Sequence, residues 1–229
     1  MTTTRSVYDE VQNVLDYLRD AELALYCNPV SMREWQDSSS VGWHSFAPEA
    51  AFLTSREHGT VEQYNDWLVN GEYSAVLFDA SLLQIWYQIG DGSIVAHRLA
   101  YIPCPFNVDR TYLDEGWPVA DVVSLYTDTS DVVLRSPIRF DFDLKAAGPM
   151  HPAAHMTINS SDCRIACVAP MHVHRFVDFV FRHFYPLLWQ AHIRFFEPAA
   201  WRHLGEQTIE ADEREGLHLN WNVHAQRAS

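Results

Sequence analysis

The stretch that decides the fold is LQIWYQIGDGSIVAHRLAYI, residues 83–102. Leu83, Ile85, Tyr87 and Ile89 alternate with Gln84, Trp86 and Gln88, the period-two pattern of a strand with one apolar face. Gly90, Asp91 and Gly92 then turn the chain into a second run ending at Ile102. Together these features are a β-hairpin signal. Pro103 and Pro105 close the second strand, because proline cannot donate to a ladder.

On the C-terminal side, residues 132–168 read as a second block of strands. Ile138, Phe140 and Phe142 alternate with Arg139, Asp141 and Asp143; Met156 and Ile158 oppose His155, Thr157 and Asn159; residues 164–168 form a third short strand. Residues 173–189 carry Phe176, Val177, Val180, Phe181 and Phe184 at helical spacing, interrupted by Pro186. This Phe-rich helix is read as core or as a homodimer face. Glu197 and Pro198 cap a short helix bearing Trp201 and His203, and a last strand is expected over 217–224.

On the N-terminal side, Val7, Val11, Val14, Leu15, Leu18 and Leu25 predict a helix over 7–27, with Ser6 as its cap and Asn28-Pro29 as its stop. Residues 28–58, with Trp35, Trp43 and His44, read as irregular. Thr60 and Gln63 form a capping box for a helix that Asn70-Gly71 ends, and a strand follows over 73–78. Residues 107–130 read as a long connection. The fold class is therefore α+β: a mostly antiparallel sheet with helices packed on one face. A single domain is expected over 1–229, with an N-terminal helix and irregular segment (1–58) and a C-terminal extension (196–229).

Composition narrows the function. The chain has 229 residues, 48% of them hydrophobic, and a formal charge of −14. This excludes a disordered tail and disfavours diffuse binding to polyanions. Residues 131–203, however, hold eight basic against six acidic residues and seven of the 12 His; the remainder is eight against 24. One local, near-neutral, His-rich segment thus sits between acidic flanks. No apolar run reaches the ~20 residues a membrane helix needs, and the N-terminal residues lack a signal-peptide core, so a cytoplasmic protein is expected. Cys27, Cys104, Cys163 and Cys167 have no metal-site spacing and read as free thiols. Fifteen of the 16 basic residues are Arg, which reads as codon bias.

The chemistry is expected in the run from Ser136 to Ile165. If its strands pair, Arg139, Asp141 and Asp143 share a face with His155, Thr157 and Asn159, and a final strand adds His218, Asn220, Asn222 and His224. An antiparallel sheet ordinarily solvates one face, so the alternation alone proves little. His151 and His155 flanking Pro152 are harder to explain as chance. Three chemistries compete. Metal-independent phosphodiester cleavage would use His151 and His155 as acid and base, with Arg139 or Arg164 on phosphate. A metal site would use Asp141, Asp143, His151 and His155, but His-x-x-x-His persuades only on a helix. The third is binding without catalysis. Of these, the first is favoured, with His151, His155, Arg139 and Asp141 as catalytic candidates and no metal or other cofactor. From the residues alone, His97, His172, His174 and His183 are read as packing, and residues 206–215 as a solvated acidic segment.

A resemblance adds to this. Trp67-Leu68 with Gly71 and Tyr73-Ser74, residues 79–87, His97-Arg98-Leu99 through Phe106, residues 138–141, His151-Pro152 with His155 and Thr157, residues 163–165 and Phe184-Tyr185 together resemble a bacterial family catalogued as domain of unknown function number 2290. The likeness covers about residues 8–190. It brings no established activity; it implies matching polar positions at His97, Arg98, Arg139, Asp141, His151, His155, Thr157 and Arg164. Of these, Arg164, Thr157, His97 and Arg98 are taken as substrate-binding. The family's small members suggest accessory proteins of defence or toxin–antitoxin loci. The expected ligand is RNA or a nucleotide. The rival reading is an acidic antitoxin, immunity or adaptor subunit that binds a protein partner encoded nearby.

Overall fold

The computed structural model describes residues 3–34, 37–43, 60–148, 150–159, 162–196 and 206–221. The predicted helix at 60 and Trp35, His44, Trp201, His203, Asn222 and His224 divide accordingly: the helix is described, and those six residues lie outside the described ones.

Helix α1 (Thr4–Asp20) is capped by Thr3, whose side chain accepts from the Ser6 amide in a capping box; Ser6 is thus the third helical residue and not the cap. The helix ends seven residues earlier than the apolar spacing predicts. The Leu23 amide donates back to the Leu18 carbonyl, and Glu22 sits at φ 57° without the glycine that normally marks such a stop. The chain then enters strand β1 (Ala24–Cys27). Residues 28–58 are not simply irregular either. Strands β2 (Val30–Glu34) and β3 (Ser39–Trp43) form an antiparallel hairpin. Gly42 lets the strands approach closely there: a Cβ would stand 3.0 Å from the Trp86 ring, which would have to shift.

Helix α2 (Val61–Asn70) has its capping box at Thr60 and Gln63 and ends on Gly71 at φ 71°. Strand β4 (Ala75–Leu77) leads to the central hairpin, β5 (Leu82–Gly90) and β6 (Ser93–Ile102). Asp91 and Gly92 both adopt positive φ in its turn, 50° and 72°. The expected connection over 107–130 contains helices α3 (Arg110–Asp114) and α4 (Val119–Val123). Strands β7 (Ile138–Asp143), β8 (Ala154–Ile158) and β9 (Arg164–Cys167) follow, then helices α5 (Val173–Phe184), α6 (Pro186–Ala191), α7 (Ile193–Phe196) and α8 (Ala211–Glu215), and strand β10 (His218–Leu219).

The strands make one mixed, mostly antiparallel sheet in the order β1-β4-β5-β6-β7-β8-β9-β10, an α+β architecture. β5 pairs with β4 at its start and with β3 at its end, so β2 and β3 branch from the main path. β10 pairs parallel to β9, which places part of the expected C-terminal extension inside the sheet. One face carries the main core: Leu83, Ile85 and Tyr87, Leu99, Phe140 and Phe142 meet Val11, Val14 and Leu18 of α1 and Phe176, Val180 and Phe181 of α5. The Phe-rich helix is therefore core. A smaller apolar layer lies on the other face at one end, where Trp67 and Leu68 of α2 meet Val76, Leu82, Ala100 and Ile102.

Candidate functional site

Register places most polar side chains of β6–β10 on the face opposite the main core. Arg98, Asp141, His155, Ala166 and His218 lie side by side across five strands. The neighbouring row holds Ala100, Arg139, Thr157 and Arg164. Directly opposed side chains in such rows lie ~5 Å apart, and the alanines leave room for the long polar ones.

Asp141 is the hub. Its Oδ2 accepts from Arg139 Nε at 2.5 Å and faces His155 Nε2 at 3.6 Å, too long for a hydrogen bond. Its Oδ1 is buried with no hydrogen-bond partner among the described residues, and so is Thr157 Oγ1. Side-chain exposure is only 12% for both Arg139 and Asp141 and 5% for His155. Water therefore screens this group poorly, and an unmet donor or acceptor in it is costly.

The turn before β8 orients His155. Its Nδ1 lies 2.9 Å from the Pro152 carbonyl oxygen. A carbonyl only accepts, so Nδ1 carries the proton and the neutral ring turns its Nε2 lone pair toward Asp141. Burial holds the imidazole below the usual histidine range, against the opposing pull of the Asp141 charge. Burial thus favours the neutral ring. The His151 ring stands edge-on to it, with centroids 5.0 Å apart.

The structure gathers Arg139, Asp141, His151, His155 and Thr157, with Arg98 and Arg164 on the flanking strands. His97 does not join them. It shares its strand face with Leu99 and Tyr101, packs its ring against Tyr87 and Phe142, and accepts the Met171 amide on Nε2 at 2.8 Å. Burial pushes its pKa down to about 4. It is a core histidine. Asp143 stays on the polar face, opposite Ala96, but serves the turn after β7, its Oδ1 accepting from the Lys145 amide at 2.8 Å. Among the described residues, no three His, Cys, Asp or Glu side chains are grouped to hold a metal ion. His218 joins the first row, whereas Asn220 lies beyond β10 beside a cleft near α5.

Sequence reading missed a second polar cluster. Tyr185 donates to Asp79 Oδ2 at 2.8 Å, and its hydroxyl meets that of Tyr101 at 2.8 Å. Desolvation raises both tyrosines' pKa values. Asp79 also receives the Ser81 amide, fixing the turn in which Ala80 adopts φ 67°. These residues belong to the quoted 79–87 and 184–185 pieces, the only signal that could have linked them. Another group joins α1 to the start of α5: Glu10 pairs with His172, and the His172 and His174 rings stack.

Fold and site together define an α+β protein with a buried Arg-Asp-His group on one sheet face. The family model described as "Uncharacterized conserved protein (DUF2290)" matches residues 23–221, and the chain belongs to that family. The match reaches past residue 195 to include β10, and it begins after α1. No curated protein and no solved structure matches the chain. No helix among the described residues is long and apolar enough to cross a membrane.

Proposed function

We propose that the Asp141–His155 group binds RNA or a nucleotide and cleaves a phosphodiester bond without a metal. What supports this reading most is one observation: His155 Nε2, whose ring already donates from Nδ1 to the Pro152 carbonyl, faces Asp141 Oδ2 across 3.6 Å on a polar face. A hydroxyl of the ligand is a fitting donor there. His155 takes the proton of a ribose 2′-hydroxyl, whose oxygen attacks the adjacent phosphorus. The P–O5′ bond breaks, a 2′,3′-cyclic phosphate forms, and His151 gives a proton to the departing oxygen. Asp141 steadies the imidazolium once it forms. Arg139, already engaged by Asp141, orients that carboxylate, and Arg164 holds a phosphate oxygen. Such an activity suits an accessory protein of a defence or toxin–antitoxin locus.

The test is a cleavage assay on short RNAs with wild-type protein, His151→Ala and His155→Ala. Loss of cyclic-phosphate product in both variants is expected. Equal rates in all three proteins remove these histidines from catalysis.

A further inference from the structure

The strand order ends at β1, and that edge is unusually apolar. Natural proteins shield edge strands with charge, proline or a covering element. Here Leu25 and Tyr26 are 38% and 49% exposed, and Trp117 beyond α3 is 46% exposed. Between them lies a cleft of about 380 Å³, floored by Leu68, Tyr73, Val76 and Leu113. That volume is at the small end for a ligand pocket, enough for one large side chain. Exposed Tyr and Trp at the rim of such a pocket are the residue types that dominate protein–protein binding energy.

Charge points to the occupant. Among the described residues, no Arg, Lys or His lines the cleft. Glu115 and Asp121, the chain neighbours of the lining residues Gly116 and Ala120, are exposed; Asp114, next to Leu113, is too, though it pairs with Arg110 at 3.5 Å. An apolar slot with a carboxylate rim complements a segment that alternates basic and apolar side chains. β1 supplies a strand edge for such a segment to lie along. A bulge between Ala24 and Tyr26 interrupts the β1–β4 ladder, so the anchoring side chain carries more of the binding than added backbone pairs.

We propose that the β1 edge and the Trp117 cleft dock an extended, basic segment of a partner protein, one apolar side chain of which fills the cleft. This surface lies apart from the His155 group and does not depend on its chemistry. The test uses the full chain and a fluorescein-labelled eight-residue peptide alternating Lys with Leu and Trp, read by anisotropy at two salt concentrations. The peptide is expected to bind, more weakly at high salt. Trp117→Ala is expected to weaken it about tenfold or more, and Glu115→Lys several-fold, while His155→Ala leaves it unchanged. Leu25→Ser, on the opposite wall, serves as an independent variant, and thermal unfolding confirms that each variant folds. The proposal is overturned by any of four results: octalysine binds as tightly, a Glu-for-Lys peptide binds as tightly, tryptophanamide alone binds as tightly, or neither Trp117→Ala nor Leu25→Ser weakens binding. The first would mean diffuse acidic attraction, the second apolar adhesion, and the third a small cationic aromatic ligand.

Discussion

His97 and His155 stand on strands β6 and β8, both buried and both with pKa values lowered by burial, yet on opposite faces of the sheet. His97 points into the main core, where the Met171 amide occupies its Nε2. His155 points the other way, with Nε2 turned to the Asp141 carboxylate at 3.6 Å. Burial and a depressed pKa therefore do not by themselves mark a functional histidine. Each ring has one nitrogen bonded to backbone and one without a hydrogen-bond partner among the described residues. What separates the two is what that second nitrogen meets. His97 Nδ1 is sealed in the core, where its ring packs against Tyr87 and Phe142, whereas His155 Nε2 faces a carboxylate on the polar face.

The sharpest way to test this contrast is to remove each ring in turn. His155→Ala is expected to cut RNA cleavage by about 10²–10⁴-fold, the span typical of general acid–base groups, an effect to be read on protein shown to be folded. The contrast breaks if His97→Ala, once folded, loses as much activity. His97→Ala is instead expected to cost about 1–3 kcal/mol of stability by leaving the buried Met171 amide unpaired. Urea denaturation measures that. On the same side of the sheet, Phe176→Ala is expected to cost about 3–5 kcal/mol, which sets the scale for purely apolar loss.

The next effect is in pH. His97 and His174 titrate near pH 4 in the folded chain but near 6.5 when unfolded. Between those values the unfolded state binds protons that the folded state refuses. Their contribution to stability is thus full above pH 6.5 and is lost as pH falls toward 4. Tm measured across this range should fall with acidification, and less steeply in His97→Phe. A smaller change sharpens the other half of the comparison. Asp141 is the charge that raises the His155 pKa against burial. Asp141→Asn should therefore move the acid limb of the pH–rate profile to lower pH, in addition to slowing cleavage. An unmoved limb would detach Asp141 from His155.

The His97 placement was legible in advance. It has the parity of Leu99 and Tyr101, not of Arg98, and strand period alone assigns it to the core face. The same parity, applied to Arg139, Asp141, His155 and Thr157, brought those residues together correctly. The central hairpin and the capping box of α2 were likewise readable, because Asp91-Gly92 and Thr60/Gln63 carry local geometry in their side chains. The start of β1 was not. Leu25 keeps helical spacing with Leu18, and Glu22 takes a left-handed conformation that nothing in its chemistry announces. β3 was hidden differently. Ser39, Ser40 and Gly42 give no alternation, since both faces of that strand are buried. The Pro152 carbonyl, which decides the His155 tautomer, is a backbone atom and leaves no trace in a residue pattern.

Helix α1 is tied to the far end of the chain. Glu10 pairs with His172 and Tyr17 with His192, across 162 and 175 residues. At translation rates of about 5–20 residues per second, α1 leaves the ribosome roughly 10–30 s before the helix that covers its apolar stripe. For that interval Val7, Val11, Val14 and Leu18 have no finished surface to pack on. Made before every other element among the described residues, α1 is thus among the last to dock, and its apolar stripe is open to chaperones or to misassociation for that interval.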